Sequence, residues 1–261
     1  MDRLRSRLDI AALDLPGYGE SPPRPDGRYS ITALARTVTD LIDHNGGPVH
    51  LIGNSMGGAV VVRAAARRPD LVRSITLISP ALPDSKIRMD LIRFPVVSLP
   101  KLGEYLIRRY ARQPAERRVS DTLAVCYRDV SQVEPERYAI EVAAQLERDA
   151  MPHAIRALAC STRALTVEQL FRPGPLSPWR EAGRITVPTL VIYGTHDMLV
   201  RHQMAARARK AFARGKVVVL PDTGHVAQME RPDTVAGLIR QMLDGNEVRP
   251  AGVDADERTV E

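Results

Sequence analysis

Three side chains of the types that cooperate in acyl transfer follow one another along the chain. Ser55 lies in "GNSMGG" (residues 53–58), Asp197 lies in "VIYGTHDMLV", and His225 lies in "VVVLPDTGHVAQMERP". A serine hydroxyl becomes a useful nucleophile only when a base takes its proton and a third group orients that base. The sequence therefore predicts Ser55 as nucleophile, His225 as base and Asp197 as the orienting carboxylate.

These residues follow short apolar runs that are typical of buried strands. Strands are predicted at 10–14, 49–52, 72–79, 187–194 and 216–221, and helices at 31–44, 59–68, about 200–213 and about 234–243. This alternation favours an α/β fold with a mostly parallel sheet and helices on both faces. In such a sheet the carboxyl ends of the strands meet at one edge, where ligands bind.

The glycines around Ser55 indicate a sharp turn from a strand into a helix. Such a turn strains its central residue, exposes that side chain, and leaves little room two residues to either side. We therefore expect close contacts to require Gly53 and Gly57, and Gly58 to allow close packing of the helix on the strand. The backbone N–H of Met56 would point at a developing oxyanion.

Together these segments resemble the α/β-hydrolase family with a helical cap. "DLPGYGES" (14–21) is similar to the family's loop ahead of the nucleophile, and "GNSMGGA" to its nucleophile elbow. "GTHDMLV" and "DTGHVAQMERP" are similar to its acid and base segments, and Ser–Asp–His is the order expected for this fold. The resemblance covers residues 8–243 and implies a serine hydrolase.

The organisation of the chain fits this resemblance. Residues 1–81 and 184–243 are predicted to form the core. Residues 82–183 carry helical spacing and many prolines, which predicts an inserted helical cap whose inner face lines an apolar pocket. The polar segment 244–261 is predicted to be a disordered tail.

The identity of the nucleophile limits the types of reaction that the site could catalyse. Serine suits acyl transfer to water, so the first prediction is a carboxylesterase for a small or medium acyl ester. "HLIGNSMGGA" also resembles hydrolases that cleave a carbon–carbon bond in products of aromatic ring fission. Those enzymes typically place tryptophan after the base, where this chain has Val226. A further alternative is a ligand-binding member of the fold with little or no turnover.

Two other side chains compete for roles in the triad. Asp222 lies three residues before His225 and is the alternative orienting group, although Asp197 follows a strand end directly. His196 adjoins Asp197 and is the less suitable base, because neighbours in a loop usually point apart.

Composition excludes several other classes of protein. The 261 residues, 44% hydrophobic, suffice for one domain, and the net charge of +6 comes with no nucleic-acid-binding motif. No apolar run could span a bilayer and no signal peptide follows Met1, which predicts a cytoplasmic protein. Cys126 and Cys160 lack metal-ligand spacing. We expect no cofactor or metal and a small ester-like substrate, and we leave a homodimer open.

The resemblance also raises an expectation about the start of the chain. In the family, several strands and a loop resembling His-Gly, which gives the second oxyanion N–H, precede the segment at 14–21. Here only "MDRLRSRL" and the predicted strand at 10–14 stand before it. By the family's usual layout, we expect roughly forty to fifty residues to be absent before this segment. We therefore expect a truncated or misassigned start and a poorly stable, weakly active chain. The alternative is a short variant in which strand 10–14 pairs beside 49–53.

Overall fold

A parallel sheet forms the centre of the computed structural model, which describes residues 3–84, 96–171 and 177–249. The described strands are β1 (Val49–Asn54), β2 (Val72–Ile78), β3 (Thr189–Gly194) and β4 (Gly215–Leu220). They pair in the order β1-β2-β3-β4, and every pair is parallel. The last residue of β1 pairs with the last residue of β2, and the same holds for β3 and β4. The carboxyl ends therefore share one edge, and the predicted fold class is confirmed.

Helices cover both faces of the sheet. They are α1 (Ile31–His44), α2 (Met56–Arg67), α3 (Leu102–Tyr110), α4 (Ala115–Cys126), α5 (Pro135–Ala150), α6 (Ala154–Phe171), α7 (Pro178–Ala182), α8 (Met204–Ala211), α9 (Ala227–Glu230) and α10 (Pro232–Leu243). One apolar cluster packs α1, α2, α7 and α8 on one face, and a second packs α10 on the other. Along β3, Val191 and Tyr193 face the first cluster while Leu190 and Ile192 face the second, as the period of two requires.

Helix α1 illustrates how local sequence sets these elements. The Ser30 hydroxyl accepts a hydrogen bond from the Ala33 N–H at 3.2 Å and so caps the first turn. Residues 31, 34, 35, 38 and 42 are buried along one stripe, which is the apolar face that a core-facing helix needs. The helix ends at His44, and Gly46 follows with a φ of 77°. The predicted bounds of 31–44 are confirmed.

Helices occupy the described chain between β2 and β3. Helix α4 packs on α5, and α3 packs on α6. The later helices also enter the main core, since Ala157 and Trp179 belong to the same buried cluster as α2. That 82–183 works as a cap stays a prediction, and residues 85–95 and 172–176 of this range lie outside the described residues.

The segment 10–14 is not a strand, contrary to the prediction. Residues 11–14 are exposed, and Asp14 forms hydrogen bonds with the turn that follows it. Its side chain accepts from the Glu20 N–H at 3.2 Å, and its carbonyl accepts from the Ser21 hydroxyl at 2.7 Å. A short apolar run gains ladder hydrogen bonds only beside a partner strand, so its composition alone was not decisive. The alternative in which this segment pairs beside β1 is therefore wrong.

The predicted tail begins on the surface of the core. The Lys216 ammonium donates to the Asn246 carbonyl, and the Asn246 N–H donates to the Gln241 carbonyl at 2.9 Å. Val248 packs against the cluster under α10. These contacts involve residues 244–249, and residues 250–261 lie outside the described residues. That 244–261 is a disordered tail stays a prediction.

Candidate active site

Ser55 stands at a strained turn between β1 and α2. Its φ is 52° and its ψ is −118°, values that residues with a side chain rarely adopt. The turn is held by the backbone, because the Ser55 N–H donates to the Ile78 carbonyl at 3.0 Å and the Ser55 carbonyl accepts from the Ala81 N–H at 3.0 Å. The Ser55 hydroxyl makes no capping hydrogen bond to α2. The turn thus has the geometry predicted for a nucleophile elbow.

The glycines around this turn have different reasons to be glycine. A Cβ on Gly53 would lie 2.5 Å from the Gly57 carbonyl oxygen, and one on Gly58 would lie 2.9 Å from the Pro80 Cβ. These contacts explain Gly53 and Gly58 as predicted. A Cβ on Gly57 would meet no atom within 4 Å, so the expectation that close contacts require Gly57 is wrong. The turn is therefore crowded at Gly53 and Gly58 and open at Gly57.

His225 and Asp197 form a buried hydrogen-bonded pair. The His225 Nδ1 lies 2.9 Å from one carboxylate oxygen of Asp197 and 3.1 Å from the other. The residues are 3% and 8% exposed. The Asp222 side chain is 70% exposed, and its ion-pair partner is His196 at 3.8 Å. Of the two carboxylates considered from the sequence, Asp197 is the one in contact with His225.

The surroundings of Asp197 favour its ionised form. Its Oδ1 accepts from the backbone N–H groups of Leu199 and Val200, both at 2.8 Å. Burial alone would raise the pKa of this carboxyl, but the hydrogen bond from His225 and the Val200 N–H hold the pKa below its usual range. An ionised Asp197 accepts from Nδ1–H, which leaves the lone pair on Nε2 of His225. These amide contacts hold 199–200 in a loop, so α8 begins at Met204, later than predicted.

Asn54 joins the serine turn to the loop that carries His225. Its side-chain Nδ2 donates to the Ile78 carbonyl at 3.0 Å and to the His225 carbonyl at 3.1 Å. The residue that precedes Ser55 therefore ties the base loop to the end of β2. Sequence reasoning missed this role, although a polar residue at the last position of an apolar strand was a usable signal. Strand β1 is itself less buried than its apolar sequence predicts, since Ile52 is 47% exposed. Met56 is the first residue of α2, where backbone N–H groups have no partner inside the helix.

Two other side chains near the site, Cys126 and His196, are less suited to act as nucleophile or base. Burial raises the pKa of the Cys126 thiol to about 11, so that sulfur stays protonated at neutral pH and is a poor nucleophile. His196 is largely exposed, and its Nδ1 contacts the Thr195 hydroxyl at 2.9 Å. Across the described ranges, no group of three His, Cys, Asp or Glu residues is placed to hold a metal ion. No helix in those same ranges has the length and apolarity to cross a membrane.

Comparison with protein families identifies the fold family. A family model described as the alpha/beta hydrolase fold matches residues 2–232. The chain belongs to the α/β-hydrolase fold family. The predicted family is thereby confirmed. Relatives named as a hydrolase and an esterase support the predicted enzyme class of hydrolase. The roles of individual side chains in this α/β-hydrolase stay predictions.

Relatives of this α/β-hydrolase carry several names. It is 27% identical to the dihydrolipoyllysine-residue acetyltransferase component of the acetoin cleaving system of Cupriavidus necator, over 94% of this chain but only 59% of that protein. It is 25% identical to a pimeloyl-acyl-carrier-protein methyl ester esterase of Neisseria meningitidis, over 97% of this chain and 73% of that protein. It is also 25% identical to a 2-hydroxy-6-oxononadienedioate/2-hydroxy-6-oxononatrienedioate hydrolase of Dechloromonas aromatica, over 90% of this chain and 75% of that protein.

Solved structures share the fold of this α/β-hydrolase. A meta-cleavage product hydrolase superposes with a TM-score of 0.72 over 94% of this chain and 83% of its own, at 18% identity. At that identity the likeness concerns the fold alone.

Proposed function

We propose that the chain is a serine hydrolase that cleaves a small or medium carboxylic ester through an acyl-enzyme intermediate. One observation carries the proposal: the hydrogen-bonded pair of His225 and Asp197 is joined through Asn54 to the strained turn at Ser55. A serine at a strand-to-helix elbow, with a buried histidine–carboxylate pair at later strand ends, is the arrangement that activates a hydroxyl.

The acylation step uses each of these groups. The Ser55 Oγ attacks the ester carbonyl carbon while its proton passes to Nε2 of His225, and the charge of Asp197 stabilises the imidazolium that forms. The carbonyl oxygen becomes an oxyanion, which the Met56 N–H stabilises as a hydrogen-bond donor; one such donor is worth on the order of a hundred- to a thousandfold in rate. When the tetrahedral intermediate collapses, the bond to the alkoxy oxygen breaks and His225 returns its proton to the leaving alcohol.

Deacylation repeats these steps with water as the nucleophile. His225 takes a proton from water as the water oxygen attacks the acyl carbon, and the bond to Ser55 Oγ then breaks. The proton returns from His225 to Oγ, which restores the free serine and releases the carboxylic acid. No cofactor enters either step.

Hydrolysis of a carbon–carbon bond is the second candidate. The relative from Dechloromonas aromatica favours it, at the same identity as the relative that is a methyl ester esterase. The residue that follows the base argues for the ester, because Val226 stands where ring-fission hydrolases typically carry tryptophan. The non-enzymatic alternative is a ligand-binding protein that keeps the triad and does not turn over a substrate.

The decisive test is covalent labelling with a fluorophosphonate probe. The parent chain should be labelled at Ser55, and Ser55→Ala should abolish labelling while circular dichroism shows an unchanged fold. Ser120→Ala is the control, because it removes a hydroxyl from α4 that contacts Tyr138 instead of the site. Labelling that survives Ser55→Ala would refute the assignment of the nucleophile.

Turnover assays separate the three candidate functions. An esterase should hydrolyse p-nitrophenyl acetate, butyrate or octanoate, with release of p-nitrophenol. A carbon–carbon hydrolase should instead bleach the absorbance of a 2-hydroxy-6-oxo-dienoate. Labelling without turnover of either substrate would favour the ligand-binding alternative.

A further inference from the structure

The loop that carries the candidate base is held at three backbone positions. The His225 N–H donates to the Cys126 carbonyl at 2.7 Å, and the His225 carbonyl accepts from Asn54 at 3.1 Å. The N–H of Gly224 donates to Oε1 of Glu230 at 2.9 Å. The loop is thus fixed by the serine turn on one side and by the end of α4 on the other.

Glu230 extends this attachment with its second oxygen. Its Oε2 accepts from the Arg128 N–H at 2.9 Å, so a single carboxylate spans the base loop and the segment that follows α4. Gly224 lies close to that segment, because a Cβ there would come within 2.6 Å of the Cys126 carbonyl oxygen and 2.7 Å of the Arg128 nitrogen. The backbone of the base loop and the backbone after α4 are therefore in direct contact, and the Glu230 carboxylate bonds an N–H group of each.

An apolar cluster joins the same two elements. Val119, Leu123 and Tyr127 from α4 and its end pack with Val226, the residue after the base, and each is at most 8% exposed. A shift of α4 would therefore break the backbone hydrogen bond between His225 and Cys126, break the bond from the Arg128 N–H to Glu230, and expose this cluster. Helix α4 belongs to the predicted cap, so the position of the base depends on the docking of that region.

We propose that Glu230 is a positioning residue that holds His225 in place and couples it to the docking of α4. This inference rests on the proposed function, because the rate of the serine reaction reports the position of the base. A misplacement of a catalytic group by about 1 Å costs on the order of a hundredfold in rate. Loss of Glu230 should therefore lower kcat by roughly ten- to a hundredfold and leave KM for a small ester nearly unchanged.

The test compares Glu230→Ala, Glu230→Gln and Asp222→Asn. Asp222→Asn is the matched control, since it also removes one carboxylate charge, it lies in the loop that carries His225, and its side chain is mostly exposed. Glu230→Ala should slow fluorophosphonate labelling of Ser55 and lower kcat. Glu230→Gln keeps one acceptor oxygen and should recover part of the rate, whereas Asp222→Asn should match the parent. Parent-like labelling and kcat in Glu230→Ala would overturn the inference.

Amide hydrogen exchange tests the coupling without any turnover. In Glu230→Ala, protection should fall both in a peptide that contains Gly224 and in one that contains Arg128, and it should stay unchanged in peptides from β3. A fall in thermal stability with unchanged kcat and unchanged exchange at these two amides would mean that Glu230 is structural only. If the parent chain is not labelled, the proposed function fails, and the exchange result still decides whether Glu230 couples the two elements.

Discussion

Asp197 and Asp222 carry the same functional group in different surroundings, and the surroundings set what each can contribute. Asp197 is buried, accepts two backbone N–H groups and contacts the His225 Nδ1. Asp222 is mostly exposed, so water screens its charge. A carboxylate orients an imidazole only through a direct contact that fixes the ring, and Asp197 has that contact.

Alanine substitution of His225, Asp197 and Asp222 should therefore lower kcat/KM by progressively smaller factors. His225→Ala should lower kcat/KM about as much as Ser55→Ala, because the triad acts as a unit, and Asp197→Ala should cost roughly a hundredfold less. Asp222→Ala should leave kcat/KM within about a factor of two, since a screened surface charge contributes little. Ester hydrolysis under single-turnover conditions measures the series. If Asp222→Ala proved more damaging than Asp197→Ala, the orienting group would be misassigned.

At the scale of elements, the turn from β1 into α2 has no room for a side chain at Gly53 but has room for one at Gly57. This difference can be measured. Gly53→Ala should lower the free energy of unfolding by about 1–3 kcal/mol, because its Cβ meets the backbone of Gly57 and Gly58. Gly57→Ala is the matched control. Its Cβ enters open space, and alanine favours a helix by about 0.8–1 kcal/mol over glycine. Urea denaturation measures both, and equal destabilisation by the two substitutions would contradict the geometry.

The accuracy of sequence-based prediction differs between kinds of element. Helix α1 was predicted with its bounds because its apolar stripe and its Ser30 cap are local features. The strand at 10–14 was wrong because pairing depends on a neighbour that the local pattern does not reveal. The end-of-strand positions of Ser55, Asp197 and His225 were predictable from the order of the segments. The bonds from Asn54 to the His225 carbonyl and from the Arg128 N–H to Glu230 were not, because each joins groups that are far apart in the sequence.

At the scale of the whole molecule, a buried ion network joins the core to the later helices. Arg63 on α2 is 1% exposed, and its guanidinium bonds Glu168 on α6 at 3.0 Å and Glu181 on α7. It also donates to the Thr32 hydroxyl of α1. Because α2 begins directly after Ser55, this network fixes the helix behind the candidate nucleophile to two helices of the predicted cap region, 82–183.

Removal of the arginine should be costly because the Arg63 guanidinium bonds two buried carboxylates, whose charges would stay buried when it is lost. Arg63→Met should lower the free energy of unfolding by about 3–5 kcal/mol, the range for breaking a buried ion pair. Arg68→Met is the control, since Arg68 pairs with Asp43 and Asp70 at the surface, where water screens the charges and the loss of stability should be small. The triple variant Arg63→Met, Glu168→Gln, Glu181→Gln should recover most of the loss, because it removes the two buried carboxylate charges together with the arginine. Chemical denaturation measures all three, and equal losses for Arg63→Met and Arg68→Met would show that the buried network does not hold the helices together.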